Sequence, residues 1–267
     1  NFDYSSQARV LFRSLLYSLP AIFLVLVQPD LGTAIVMSSI WLVMTLATKV
    51  KKRYLLAMVV SLVLILPLVY PRLHDYQKKR ITTFLQPSAD PSGAGYNVSQ
   101  AIIAVGSGGL LGQGLGSGGQ SQGNFLPSSH TDFVFAVLAE KQNQYGSWVR
   151  NFHTDFVFAV LAEKLGFIGA LVCIALFLVV IARIIIDASL SSDRFGSLLC
   201  LGIATMFIVH VVVNIGMNLG IMPVTGIPLP FISAGGTSMM VSLFSVGLVQ
   251  SVYSRRKGRE IGEAETS

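Results

Sequence analysis

Residues 153–186 read HTDFVFAVLAEKLGFIGALVCIALFLVVIARIII. From Gly166 onward the only charge in this stretch is Arg183. A helix needs about 20 mostly apolar residues to cross a bilayer, and 166–186 meets that length. Working outward, five further segments do the same, at roughly 11–27, 31–48, 54–70, 196–219 and 237–253. Composition agrees: 52% of the chain is hydrophobic and 12% charged, where soluble domains carry about 25% charge. The expected fold is an all-α polytopic membrane protein. It has about six transmembrane helices and a long extracytoplasmic loop between the third and fourth. Three helices occupy 1–70, the loop 71–165, three more helices 166–253 and a tail 254–267. Pro20 and Pro67 fall inside helices, which membrane-embedded neighbours tolerate.

Short basic loops orient such a chain, because Lys and Arg stay on the cytoplasmic side. KVKKR at 49–53, Arg183 with Arg194, and RRKGR at 255–259 all share one side if the helices alternate. Arg9 and Arg13 then start the first helix inside. This predicts a multi-pass membrane protein with a cytoplasmic C-terminus. The net charge of +6 reads as loops beside anionic membrane lipids. No soluble basic face is present, so nucleic acid is not an expected partner. Cys173 and Cys200 sit in apolar runs and read as small buried hydrophobes. The opening NFDYSSQARVLF lacks signal-peptide features and predicts a start partway through a longer protein.

The first twelve residues of the opening stretch, HTDFVFAVLAEK at 153–164, also occur at 130–141. Removing 142–164 or 130–152 leaves the same sequence, so the extra piece is QNQYGSWVRNF plus one copy. The first copy keeps the upstream FLPSS; the second keeps the downstream helix. A helix fixes position at about 1.5 Å per residue, whereas a Gly-rich loop absorbs slack. The second copy, with Asp155, is therefore expected in native register, and the first, with Asp132, displaced as an amphipathic segment. Residues 98–105 are expected as a short helix or re-entrant piece. The Gly/Ser run 106–119 suits either a flexible linker or close backbone approach to a phosphate. GxxxxGK[ST] is absent, so no nucleotide is expected. The loop 218–238 interrupts apolar sequence with prolines and glycines, which suits a cavity wall. Thr237 or Ser238 is expected to cap the last helix.

Four ordered blocks carry a resemblance: QPDLGTA (28–34), YQKKRITTFLQPSADPSGAGYNVSQAIIAVGSGG (76–109), GQSQGNFLPSSHTDFVFAVLAEK (119–141) and NIGMNLGIMPVTGIPLPFISAGG (214–236). Together they resemble the SEDS family (shape, elongation, division and sporulation). The wording RI-x-x-FL, DP-x-G-x-GYN and FLPSSHTDF is closer to the elongation-type RodA branch than to the division-type FtsW branch. The resemblance implies polymerisation of lipid II into glycan strands, with a class B penicillin-binding transpeptidase as partner. It implies about ten spanning helices, of which this chain matches the later six. It also implies a dependence on Mg²⁺ or Mn²⁺, and an essential acid at the Asp of HTDF, here Asp155 or Asp132. Ala234 departs from the family's usual aromatic residue.

Each candidate residue has a plainer reading beside the chemical one. An Asp at a helix start caps the helix, or it serves as general base for a sugar hydroxyl. Arg80 is an ordinary loop arginine, or the partner of a leaving pyrophosphate. Lys78 and Lys79 are weaker versions of the same idea. Asp30 caps the second helix, or binds substrate or a divalent ion. Gln100 and Gln120 are the remaining candidates for substrate contact. Asp90 reads as a turn residue, and Glu140 and Glu163 as structural. His74, His130, His153 and His210 form no zinc pattern, so no protein metal site is expected. Two functions compete with the glycosyltransferase: a transporter (flippase) for the lipid-linked precursor, and a non-catalytic scaffold for the transpeptidase.

Overall fold

A computed structural model describes residues 4–28, 30–48, 75–86, 90, 93–114, 154–191, 193–233 and 235–265. The helices are α1 (Tyr4–Val27), α2 (Leu31–Ala47), α3 (Asp75–Leu85) and α4 (Ala94–Ser107), then α5 (Val157–Leu190), α6 (Arg194–Asn218) and α7 (Gly236–Glu265). A single 3₁₀ turn, Thr154–Phe156, leads into α5. The described residues contain no strand. The expected first, second, fourth and fifth spans coincide with α1, α2, α5 and α6. The third, 54–70, lies outside the described residues.

Among the described residues, α5 and α6 are long and apolar enough to cross a membrane; the apolar stretches Leu11–Val27 and Leu31–Ala47 are shorter. The sixth expected span falls within α7, which is more polar. Its Ser242 and Ser245 are buried and donate to the carbonyls of Ser238 and Val241, one turn back, at 2.8 and 2.7 Å. That bonding lets hydroxyls sit in an apolar helix. The helix begins at Gly236, so Thr237 and Ser238 lie inside its first turn. Ser238 donates its hydroxyl to the Gly235 carbonyl at 2.8 Å, which differs from the capping expected of it. A cap accepts from the backbone; here the hydroxyl donates to it.

Helix α6 is the centre of the packing and touches α2, α4, α5 and α7. Its Cys200, Ala204 and Phe207 join Phe177 and Ile181 of α5 in the main core. Gly202 allows Ile40 and Met44 of α2 to approach within 3.6 and 3.4 Å of where a Cβ would stand. Small residues serve that purpose in membranes, where close packing rather than water drives association. Cys173 and Cys200 are free and buried, as expected.

Helix α5 is broken at Gly166, whose φ of 69° and ψ of −170° no helix accommodates. A break strands backbone groups that must find partners elsewhere. The turn after α4 supplies them. Gln113 and Gly114 donate to the carbonyls of Glu163 and Lys164 at 2.9 and 3.1 Å. Phe167 and Ile168 donate to the carbonyls of Gly109 and Leu110 at 2.8 and 3.2 Å. Gly112 has φ +79°, and a Cβ there would strike the Lys164 carbonyl. The beginning of the glycine run thus does make a close backbone approach, to a helix break.

Candidate active site

The site assembles from the start of α5, the end of α6 and the loop that follows α6. Asn214 and Asn218 lie one turn apart on α6 and are fully buried. Both side-chain amides donate to the Asp155 backbone carbonyl, at 3.1 and 3.0 Å. Asn214 also donates to the Ile227 carbonyl at 2.8 Å, which ties the loop to the same point. The Asn218 side-chain oxygen accepts from Ala159 N–H at 3.1 Å. That N–H is one of the donors that a helix start leaves without an intrahelical partner. The residue just before α5, Phe156, makes no side-chain cap bond. Asn218 therefore does from a neighbouring helix what an N-cap residue does locally, and Asp155 is not the acceptor for Ala159.

The half-buried Asp155 carboxylate faces the loop: its Oδ2 is 3.9 Å from where a Cβ would stand on Gly226. Gly226 has φ +78°, a conformation that favours glycine. One residue earlier, the Thr225 carbonyl accepts from Arg80 Nη1 at 3.4 Å. The Thr225 hydroxyl is buried and has no hydrogen-bond partner among the described residues. On the third side, a Cβ on Gly32 of α2 would lie 2.8 Å from the Thr225 carbonyl and 3.4 Å from Asp30 Oδ1. Asp155 and Arg80, far apart in sequence, converge on residues 225–226, against which Gly32, two residues after Asp30, also packs.

Asp30 caps α2. Its carboxylate accepts from the Thr33 amide at 3.0 Å and the Thr33 hydroxyl at 2.6 Å. Asp90 behaves as the turn residue expected, accepting from Ala94 N–H at 3.1 Å while pairing with Lys79 at 3.3 Å. Lys79 is thereby engaged structurally. Lys78 is two residues from Arg80 on α3, so the two side chains leave opposite sides of the helix. Gln100 is half-buried on α4. It does not line the cavity of about 50 Å³ that Arg80 shares with Phe84, Val98, Ile102, Met222 and Val224. That space holds a water or two, not a sugar. Gln120 and Asp132, with the whole first copy of the repeat, lie outside the described residues. Among the described residues no three His, Cys, Asp or Glu side chains gather as a metal site would require.

Sequence reasoning missed Asn214 and Asn218 as individual residues. The available signal was two amides four residues apart inside an apolar spanning helix, where unpaired polar groups are costly. It also missed Thr225 and Gly226, and gave no reason to expect helix α3.

Comparison with known proteins gives a consistent picture. A family profile described as "Cell cycle protein" and covering FtsW, RodA and SpoVE matches residues 3–149 and again 142–258. Each match contains one copy of the repeat. The peptidoglycan glycosyltransferase MrdB of Escherichia coli K12 is 39% identical over 88% of this chain and 57% of its own length. The probable peptidoglycan glycosyltransferase FtsW of Geobacter metallireducens is 38% identical over 88% of this chain and 56% of its own. The chain thus spans little more than half the length of these relatives. Among solved structures, a peptidoglycan synthase complex described as coordinating polymerization and crosslinking aligns with TM-score 0.68 and 30% identity. It covers 91% of this chain and 61% of the other. The rod shape determining protein RodA of Thermus thermophilus aligns with TM-score 0.54 and 27% identity, over 96% of this chain and 57% of the other.

Proposed function

Because the chain belongs to the FtsW/RodA/SpoVE family of cell cycle proteins, we propose that it forms the catalytic portion of a peptidoglycan glycosyltransferase. In this reading it polymerises lipid II in the bacterial inner membrane during cell elongation. Its C-terminus is cytoplasmic, and a class B penicillin-binding transpeptidase is its partner. The synthase complex among its structural neighbours, which couples polymerization to crosslinking, supports such a partner. Relatives named MrdB and FtsW match almost equally well, so the elongation role rests on the motif wording.

The observation that carries the reading is the convergence of Asp155 and Arg80 on adjacent residues, Gly226 and Thr225. Asp155 acts as general base. It takes the proton from an acceptor sugar hydroxyl as that oxygen bonds to the donor's anomeric carbon. The bond from that carbon to the lipid pyrophosphate breaks, and the pyrophosphate leaves with the electron pair. Arg80 meets the departing charge. Attack opposite the leaving group needs one base and no sugar–enzyme bond, by analogy with inverting glycosidases. Asn214 and Asn218 hold the backbone of Asp155 at the mouth of the loop. Mg²⁺ or Mn²⁺ would belong with the pyrophosphate; the described residues supply no cage for it, and no step above runs through it.

Glycan polymer formed from lipid II, in the presence of the transpeptidase, tests this. Asp155→Asn should lower kcat by about a hundredfold to ten-thousandfold, the usual span for a lost general base, with KM little changed. Polymer formation at the wild-type rate would contradict the assignment. Lipid II appearing in the outer leaflet without polymer would support the transporter instead.

A further inference from the structure

A second polar cavity lies at the other end of the same helices, remote from Asp155. It has a volume of about 500 Å³ and opens between α5 and α7. Among the described residues its lining includes Arg183, Asp187, Gln250 and Tyr253, with Val180 and Val249 as apolar wall. Arg183 follows the Gly166 break by 17 residues, and Tyr253 follows the first residue of α7, Gly236, by the same number. At about 1.5 Å per residue both sit some 25 Å along their helices. The hydrocarbon layer is about 30 Å thick, so this cavity lies at one edge of it, where lipid headgroups begin. Basic residues Arg194, Arg255 and Arg256 crowd the same end of α6 and α7.

The side chains present both signs of charge side by side. Arg183 Nε is 3.4 Å from Asp187 Oδ2, and its guanidinium lies 5.3 Å over the Tyr253 ring. The Arg183 side chain is 58% exposed and that of Asp187 only 6%. Asp187 Oδ1 is buried without a hydrogen-bond partner among the described residues. A buried carboxylate oxygen with no donor is costly.

We propose that this cavity binds the headgroup of an amine-bearing phospholipid of the phosphatidylethanolamine type. The phosphodiester takes the exposed guanidinium of Arg183, in the forked geometry that suits it. The primary ammonium donates to the Asp187 carboxylate and rests against the Tyr253 ring. The acyl chains continue along the apolar wall of Val180 and Val249. Charge complementarity selects this occupant. The anionic phosphatidylglycerol headgroup offers no donor cation for Asp187. A quaternary ammonium carries no N–H to give it.

The test uses the full chain in nanodiscs of equal parts phosphatidylethanolamine, phosphatidylglycerol and phosphatidylcholine. Native mass spectrometry then counts the lipids that stay bound. The wild type should retain phosphatidylethanolamine over phosphatidylcholine by about tenfold, the size of one charged contact. Asp187→Asn should abolish that preference while phospholipid binding persists, and Arg183→Gln should release all three lipids. Should Asp187→Asn fail to fold, Tyr253→Leu provides the check, lowering the same preference from a lipid-facing position. Retention in the bulk ratio would overturn the proposal. So would a preference for phosphatidylglycerol, or a phosphatidylethanolamine preference that survives both Asp187→Asn and Tyr253→Leu.

Discussion

The two unequal parts of α5, 157–165 before the Gly166 break and 167–190 after it, are both mostly apolar in sequence and behave differently in the fold. Before the Gly166 break, Val157 through Lys164 are buried on every side, Glu163 and Lys164 included. Beyond it, burial falls on Ala170, Cys173, Phe177, Ile181, Ile184 and Ala188, a stripe at helical spacing. The intervening Leu171, Leu176 and Val179 are largely exposed, facing the side where lipid would lie. The first part is a protein-enclosed plug whose backbone is held by the Asn pair and the turn 109–114. The second is a one-sided membrane span. Apolar composition alone does not distinguish a residue that packs on protein from one that meets lipid; the break and the polar groups around it do.

That contrast can be broken at several points. The largest effect on stability is expected at the break itself. Gly112→Val would combine a left-handed φ with a collision at the Lys164 carbonyl, costing about 3 kcal/mol or more. A fall in thermal stability in detergent should report it. Asn218→Leu comes next, leaving the buried Ala159 N–H without its acceptor and the Asp155 carbonyl without one of its two donors. About 2 kcal/mol of stability should be lost, with polymerase activity falling too. Asn218→Asp sharpens the point, because it keeps the acceptor for Ala159 and removes the donor for Asp155. It also sets a buried carboxylate oxygen against the Asp155 and Asn214 carbonyls with no donor, so stability and activity should both fall. A wild-type kcat from Asn218→Asp would mean that the amide does not position Asp155.

Smaller effects belong to the second part. Ile181→Val, on the buried stripe, should cost about 1 kcal/mol. In lipid only the packing share of such a loss survives. Val179→Ala, on the exposed face, should change thermal stability by less than about 0.5 kcal/mol. Equal losses at the two positions would show that the stripe is not the packed face.

Much of the helical layout was legible because spanning length and apolarity are local properties. The segments 11–27, 31–48, 166–186 and 196–219 needed no partner to be recognised. The break at Gly166 was not legible, since the carbonyls it strands are met by Gln113 and Gly114, some fifty residues earlier. For the same reason the glycine run 106–119 could be read as linker or phosphate loop. Its role depends on what stands opposite Gly112. Helix α3 escaped notice because DYQKKRITTFL has no strong apolar stripe and is held in place by contacts with α4 and the 225 loop. Asp155 and Arg80 were recognised by motif, but their meeting at Thr225 and Gly226 is a property of the fold. Asp30 shows the opposite case: the plain reading, a helix cap, is what its bonds to Thr33 express.

The repeat makes one measurement more direct than the rest. Asp132→Asn and Asp155→Asn differ only in which copy of HTDFVFAVLAEK loses its carboxylate. Both should be assayed for polymer from lipid II alongside the wild type, with the transpeptidase present. The account predicts that Asp155→Asn slows polymer formation by about a hundredfold or more and Asp132→Asn leaves it intact, because only the second copy continues into α5. Loss of polymer from Asp132→Asn alone would contradict it, and would place the working base in the first copy.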